Sequence, residues 1–161
     1  MRFEARTEDE MIAAGRKLAR ALPAQAVVIL TGDLGAGKTT LVKGIASERA
    51  AIDANEVASP TFALIHEYGE PPCVYHIDLY RLDTDEEVLG LGLDELFDRQ
   101  ALVLIEWGER FAHLFGVPLW RVEITETLLS PETSPRQVLC TSPEPSSGEP
   151  SSSASARRSG P

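Results

Sequence analysis

The segment GDLGAGKTT, residues 32–40, constrains this chain more than any other. From Gly32 to Thr39 it fills the pattern G-x-x-x-x-G-K-[ST] completely. The flanks narrow the choice further. Residues 26–30 (AVVIL) form a short apolar run rich in β-branched side chains, and from Lys38 to about Ala50 the sequence reads as helix. The order is therefore strand, glycine loop, helix, which turns the pattern from a glycine-rich turn into an anion cradle. Glycines let the backbone curl until the N–H groups of Gly35, Ala36, Gly37 and Lys38 face inward, and the start of the helix adds its positive end. Lys38 is placed to bridge β- and γ-phosphates, Thr39 to ligate Mg²⁺ through its hydroxyl, and Thr40 to support the α-phosphate. Asp33 is the exception inside the loop: its carboxylate either braces the loop from outside or faces an incoming water or partner.

The rest of the sequence supplies the other elements of an α/β domain. Thr7 to Glu10 has capping-box form, and Met11, Gly15, Leu18 and Leu22 recur at helical spacing until Pro23. Residues 61–68 (TFALIHEY) and 73–80 (CVYHIDLY) read as a strand pair turned by GEPP. Residues 83–87 open a short helix with an acidic first turn, broken near Gly90 and Gly92, and LDELF at 93–97 makes another. Residues 101–105 (ALVLI) are a second continuous apolar run, the pattern of a strand covered on both faces. LWRVEITET and RQVLCT read as two further strands joined by an SPETSP turn. The fold expected is a P-loop NTPase-like three-layer α/β architecture, with a mixed, mainly parallel sheet flanked by helices. One ATPase domain over residues 1–141 is expected, followed at 142–161 by a disordered tail rich in Ser and Pro, with almost nothing apolar to offset the entropy of ordering.

Charge and missing motifs exclude several functions. The formal net charge is −10, which disfavours direct nucleic-acid contact, because neutralisation of phosphates by Lys and Arg supplies most of that affinity. The chain has three lysines, Lys17, Lys38 and Lys43, and one of them sits in the loop. Two cysteines, Cys73 and Cys140, lack zinc or disulfide spacing. No apolar run approaches the ~18–20 residues of a membrane span, and the N-terminus lacks a secretory pattern, so a cytoplasmic protein is expected. Guanine recognition through N-K-x-D is absent, the single asparagine being Asn55 followed by Glu56. No LSGGQ-like segment occurs either. A small-molecule kinase is the alternative in another class, but between the loop and Glu106 only Arg49, Arg81 and Arg99 occur, widely separated, whereas such kinases clamp the transferring phosphoryl with an arginine-rich lid.

A phosphate loop needs an acid at the end of a neighbouring strand. Two candidates end apolar runs, Asp78 in VYHIDLYR and Glu106 in LVLIEWGE. Glu106 follows the continuous run and is the better metal ligand; Asp78 suits a magnesium-bound water or the attacking water. Trp107 fits either core packing or a sensor of the nucleotide. His66 and His76 have no third ligand at metal spacing and read as structural.

Four blocks together, GDLGAGKTTLVKG, SPTF (59–62), YHIDLYRL (75–82) and LIEWGER (104–110), resemble in order and spacing the TsaE (YjeE) family, bacterial ATPases of tRNA threonylcarbamoyladenosine synthesis. The resemblance covers about residues 5–140. It implies ATP hydrolysis, with Mg²⁺, in the service of the TsaD and TsaB proteins, which modify adenosine 37 of tRNAs reading codons that begin with A. It also implies that tRNA is reached indirectly, through those partners. On matching positions it implies catalytic roles for Lys38, Asp78 and Glu106, a metal site at Thr39 and Glu106, and a first switch loop at Ser59 and Thr61. Trp107 falls in a second switch, and Thr7 and Arg136 fall where the family touches the nucleotide outside the loop.

Overall fold

The computed structural model describes residues 1–127 and 134–145. Most of the SPETSP turn, and residues 146–161 of the expected tail, lie outside them.

Apolar patterning sets the architecture. Strand β2 (Ala26–Thr31) is buried along nearly its whole length, and so are β4 (Val74–Asp78) and β5 (Leu102–Glu106). Strands this apolar need cover on both faces. Alternation divides their side chains between two cores. Val28, Leu30, Leu102 and Leu104 point toward α1 (Glu8–Ala21) and α2 (Lys38–Ala50), while Val27, Ile29, Val103 and Ile105 point toward α3 (Asp85–Leu89), α4 (Leu93–Phe97) and a 3₁₀ segment at Glu109–Leu114. The result is the three-layer α/β fold expected.

One sheet of seven strands runs through the middle in the order β1-β7-β6-β2-β5-β4-β3. The pairs β6–β2, β2–β5 and β5–β4 are parallel. The edges are antiparallel: β3 (Ile65–Tyr68) on β4 at one side, and β1 (Arg2–Ala5) on β7 (Arg136–Thr141) on β6 (Leu119–Glu126) at the other. The sheet is thus mixed with a parallel centre. The carboxyl ends of β2, β4 and β5 share one rim, where open α/β sheets bind ligands.

Three features differ from the sequence reading. The expected strand from Thr61 begins only at Ile65. Ahead of it the chain turns, with Leu64 in the left-handed region at φ 67° and its N–H on the Pro60 carbonyl at 2.6 Å. Strand β1 carries no signal of its own in a four-residue segment (RFEA) and exists by pairing with β7, more than 130 residues away. At the first helix, Thr7 accepts from the Glu10 N–H at 3.1 Å, but Glu10 reaches back to the Arg6 N–H rather than to that of Thr7.

A complete capping box does form at α3, where the Thr84 hydroxyl accepts from the Glu87 N–H and Glu87 accepts from the Thr84 N–H. Thr84→Ala is expected to cost about 1 kcal/mol, read as a lowered midpoint in urea unfolding at unchanged slope. Among the described residues no helix is long and apolar enough to cross a membrane.

Helices α1 and α2 cross in close contact, and glycine makes the crossing possible. A Cβ added at Gly15 would collide with the Leu41 carbonyl oxygen of α2, and one at Gly44 with the Ile12 carbonyl oxygen of α1. At α1's far end Arg49 reaches across from α2, its Nε donating to the Ala19 carbonyl at 2.9 Å and its Nη2 to those of Leu22 and Pro23. Burial lowers the Arg49 pKa below its usual value. The two helices form one rigid layer, and α2 begins at the phosphate loop.

Candidate nucleotide site

The glycine loop leaves β2 and enters α2 through two residues that only glycine adopts at little cost, Gly35 at φ 80° and Gly37 at φ 108°. Gly37 caps α2 without a side-chain hydrogen bond, and no acidic residue lies in the helix's first turn. The backbone N–H groups at that end therefore have no competing carboxylate of their own. The Ala36 N–H closes the loop on the Asp33 carbonyl at 2.9 Å, so it serves the turn.

Lys38 is 5% exposed. Its ammonium donates to the Gly32 carbonyl and, at 3.0 Å, to that of Asp33, and it lies 4.2 Å from the centroid of the Trp107 ring. The Asp33 carboxylate is exposed and makes no hydrogen bond to another described residue; it is the backbone carbonyl of Asp33 that braces the loop. Trp107 takes a left-handed turn at φ 60° directly after Glu106, and its ring meets that of Tyr80 at 5.0 Å.

The structure brings the two strand-end acids together. Asp78 and Glu106 are the last residues of adjacent parallel strands and are paired in register. Both are 4% exposed. The Thr39 hydroxyl donates to Glu106 Oε1 at 2.9 Å, which ties the first turn of α2 to the end of β5. Asp78 is held at both oxygens: Oδ1 accepts from the Tyr80 N–H at 2.9 Å and Oδ2 from the Thr61 hydroxyl at 3.0 Å. The Ser59 and Thr61 hydroxyls are 2.8 Å apart, so the loop before β3 is linked side chain by side chain to β4. Its start is pinned as well, since His66 Nδ1 contacts the Ala58 carbonyl at 3.2 Å and the Ala58 N–H donates to the Tyr68 hydroxyl at 3.3 Å. Burial raises the Tyr68 pKa above its usual value, and the phenol stays protonated at neutral pH.

These groups surround a cavity of about 360 Å³. Gly35, Gly37, Lys38, Thr39 and Thr40 form its floor, with Ser59, Thr61, Asp78, Glu106 and Trp107 around the walls. Arg136 sits at its margin and also lines a second cavity of about 340 Å³ with Thr7 and Thr40. A Cβ on Gly37 would stand 3.1 Å from Arg136 Nη1, so the arginine lies directly against the loop. Thr7 and Arg136, distant in sequence, thus line one cavity, which shares Thr40 and Arg136 with the first. Two residues at the site escaped the sequence reading. Tyr80 shows no signal of its own, while His76 stands two residues before Asp78, a spacing that puts both on one face of β4.

Residues 5–135 match the protein family described as threonylcarbamoyl adenosine biosynthesis protein TsaE. The chain belongs to the TsaE family. The tRNA threonylcarbamoyladenosine biosynthesis protein TsaE of Rickettsia felis is 39% identical over 118 residues, covering 73% of this chain and 68% of that protein. The TsaE of Treponema pallidum is 38% identical over 130 residues, covering 81% of this chain and 93% of its own. Among solved structures, the crystal structure of Bacillus subtilis YdiB superposes with a TM-score of 0.66 at 26% identity, covering 88% of this chain and 84% of that one. The role of the TsaE family lies in tRNA threonylcarbamoyladenosine biosynthesis.

Proposed function

We propose that this TsaE-family protein binds ATP with Mg²⁺ in the 360 Å³ cavity and hydrolyses it in the cytoplasm to drive tRNA threonylcarbamoylation, acting with the TsaD and TsaB proteins. The observation that carries the reading is the convergence on one α/β rim of Lys38 and Thr39 at a helix start with two buried strand-end carboxylates, Asp78 and Glu106.

Each group then has a task. Backbone N–H groups at the start of α2 and the Lys38 ammonium offset phosphate charge, and Arg136 and Thr7 hold the nucleotide beyond the loop. Thr39 Oγ1 and the Glu106 carboxylate supply neighbouring hard oxygen ligands, which suit a small divalent cation. Held by these two oxygens, magnesium would supply Lewis-acid charge to the phosphates. Asp78 is fixed by Thr61 and Tyr80 so that its carboxylate can accept a hydrogen bond from the attacking water. The Thr61 and Ser59 hydroxyls connect that acid to a surface loop, giving a partner a mechanical route to the reacting centre.

The acidic chain fits a division of labour in which TsaD and TsaB carry the tRNA. The arginine at the cavity margin is Arg136 alone among the described residues, and one arginine is not the mobile basic lid that a small-molecule kinase uses. ATP turnover by the purified protein, measured with and without TsaB and TsaD, tests the proposal. Turnover is expected to rise when both are present; equal rates in both conditions, with threonylcarbamoylation proceeding over many cycles in this protein's absence, would refute it.

A further inference from the structure

We propose that His76 is a positioning residue for the metal site: its imidazole fixes the Glu106 carboxylate so that one oxygen is saturated and the other is presented to the cation. This rests on the nucleotide and magnesium reading above.

His76 is completely buried in the central part of the sheet, on the same face as Val74 and the core beneath α2. A polar ring there costs desolvation, and an aliphatic side chain would avoid that cost. The ring is only half compensated, because Nδ1 has no hydrogen-bond partner. Its compensation is all at Nε2, which lies 2.9 Å from Glu106 Oε1. An unpaired buried lone pair costs less than an unpaired N–H, which places the ring proton on Nε2 and makes the histidine the donor.

Glu106 Oε1 then receives two donors, the His76 ring and the Thr39 hydroxyl, each at 2.9 Å. Among the described residues no donor reaches Oε2. A buried carboxylate gripped from two sides at one oxygen has lost the freedom to turn about its terminal torsion. The two grips differ in kind. The Thr39 hydroxyl is itself a candidate metal ligand and its hydrogen rotates, whereas the imidazole is rigid, buried and anchored in β4. His76 is therefore the contact that keeps Glu106 oriented whatever the hydroxyl does, as outer hydrogen bonds do for metal ligands generally.

Two neutral amide replacements separate positioning from packing. In His76→Gln the amide nitrogen can occupy roughly the place of Nε2 and donate to Glu106; in His76→Asn it is too short and falls near Nδ1. ADP binding by both variants and the unaltered protein is measured calorimetrically with and without Mg²⁺, alongside thermal unfolding. His76→Asn is expected to keep metal-free ADP affinity within about twofold while losing about tenfold or more of the gain that Mg²⁺ adds, and His76→Gln to recover most of it. If both variants retain the full gain, or lose it equally while folded, or if His76→Asn weakens metal-free binding as much as metal-assisted binding, the positioning role is wrong. A Mg²⁺ gain absent already in the unaltered protein would overturn the underlying metal reading, and the role of His76 with it. Should His76→Asn not fold, His76→Gln decides alone: a folded protein without the Mg²⁺ gain overturns the inference.

Discussion

Replacing Lys38 with alanine is expected to lower kcat for ATP hydrolysis by about 100- to 1,000-fold when measured with TsaB and TsaD, the range seen when a preorganised electrostatic donor is removed from an active site. The size follows from the site's charge. The cavity proposed to hold the nucleotide is lined by the glycines of the loop and by Asp78 and Glu106, and the one lysine lining it is Lys38. With that ammonium gone, two buried carboxylates face a triphosphate with Arg136 at the margin as the remaining cation lining the cavity. Backbone dipoles still favour an anion, so nucleotide binding should suffer less than turnover, which needs charge neutralised as it develops between the β- and γ-phosphates. Turnover by Lys38→Ala close to that of the unaltered protein would show that the lysine has no such role.

The second large effect is expected far from any phosphate. Gly44→Ala puts a methyl group against the Ile12 carbonyl, with the Gly15 Cα only 2.9 Å from the added carbon. These are backbone atoms of a helix, so no side chain can swing aside, and α1 and α2 must move apart. Overpacking typically costs 1–3 kcal/mol, and a clash with several backbone atoms of one helix belongs at the top of that range, about 3 kcal/mol. For a domain of this size that corresponds to a fall of roughly 6–12 °C in Tm. Nucleotide affinity should fall too, because α2 begins with Lys38, Thr39 and Thr40 and moves as one body. A Tm within about 2 °C of the original would mean that the helices part more easily than the contact implies.

How much of this was legible in the sequence depended on the range of the interactions involved. The phosphate loop and α2 from Lys38 to Ala50 are local structures, fixed by glycine conformations and helical spacing, and they stand where the motif places them. The strand ending in Glu106 announces itself by a continuous apolar run and the one ending in Asp78 by an apolar run broken at His76, so both acids were visible as strand ends. What was not legible is nonlocal. Strand β1 depends on β7 across the length of the chain. The front half of TFALIHEY alternates like a strand but is spent on a turn, and Phe62 within it is 87% exposed. That turn carries Thr61 to Asp78, a contact no periodicity encodes. His76 looked structural because it lacks ligand spacing, yet its partner is Glu106 on the neighbouring strand, 30 residues on. The location of Thr7 and Arg136 came from family resemblance, since nothing in their local sequence points to a shared cavity.

The pairing of Asp78 with Glu106 makes the two acids a single mechanical part. They end neighbouring strands whose ladder continues one step past them, with the Leu79 N–H on the Glu106 carbonyl at 3.0 Å. A slip of one residue in β4 would carry Ile77 or Leu79 into Asp78's place, turn His76 to the opposite face and undo Thr61's contact at once. Glu106 would stay in place through the pairing of β5 with β2, so it is the register of β4 that decides whether the second acid stands beside it. The separation of the two carboxylates thus starts from the spacing between neighbouring strands, and the side-chain contacts to Thr61, Thr39 and His76 refine it.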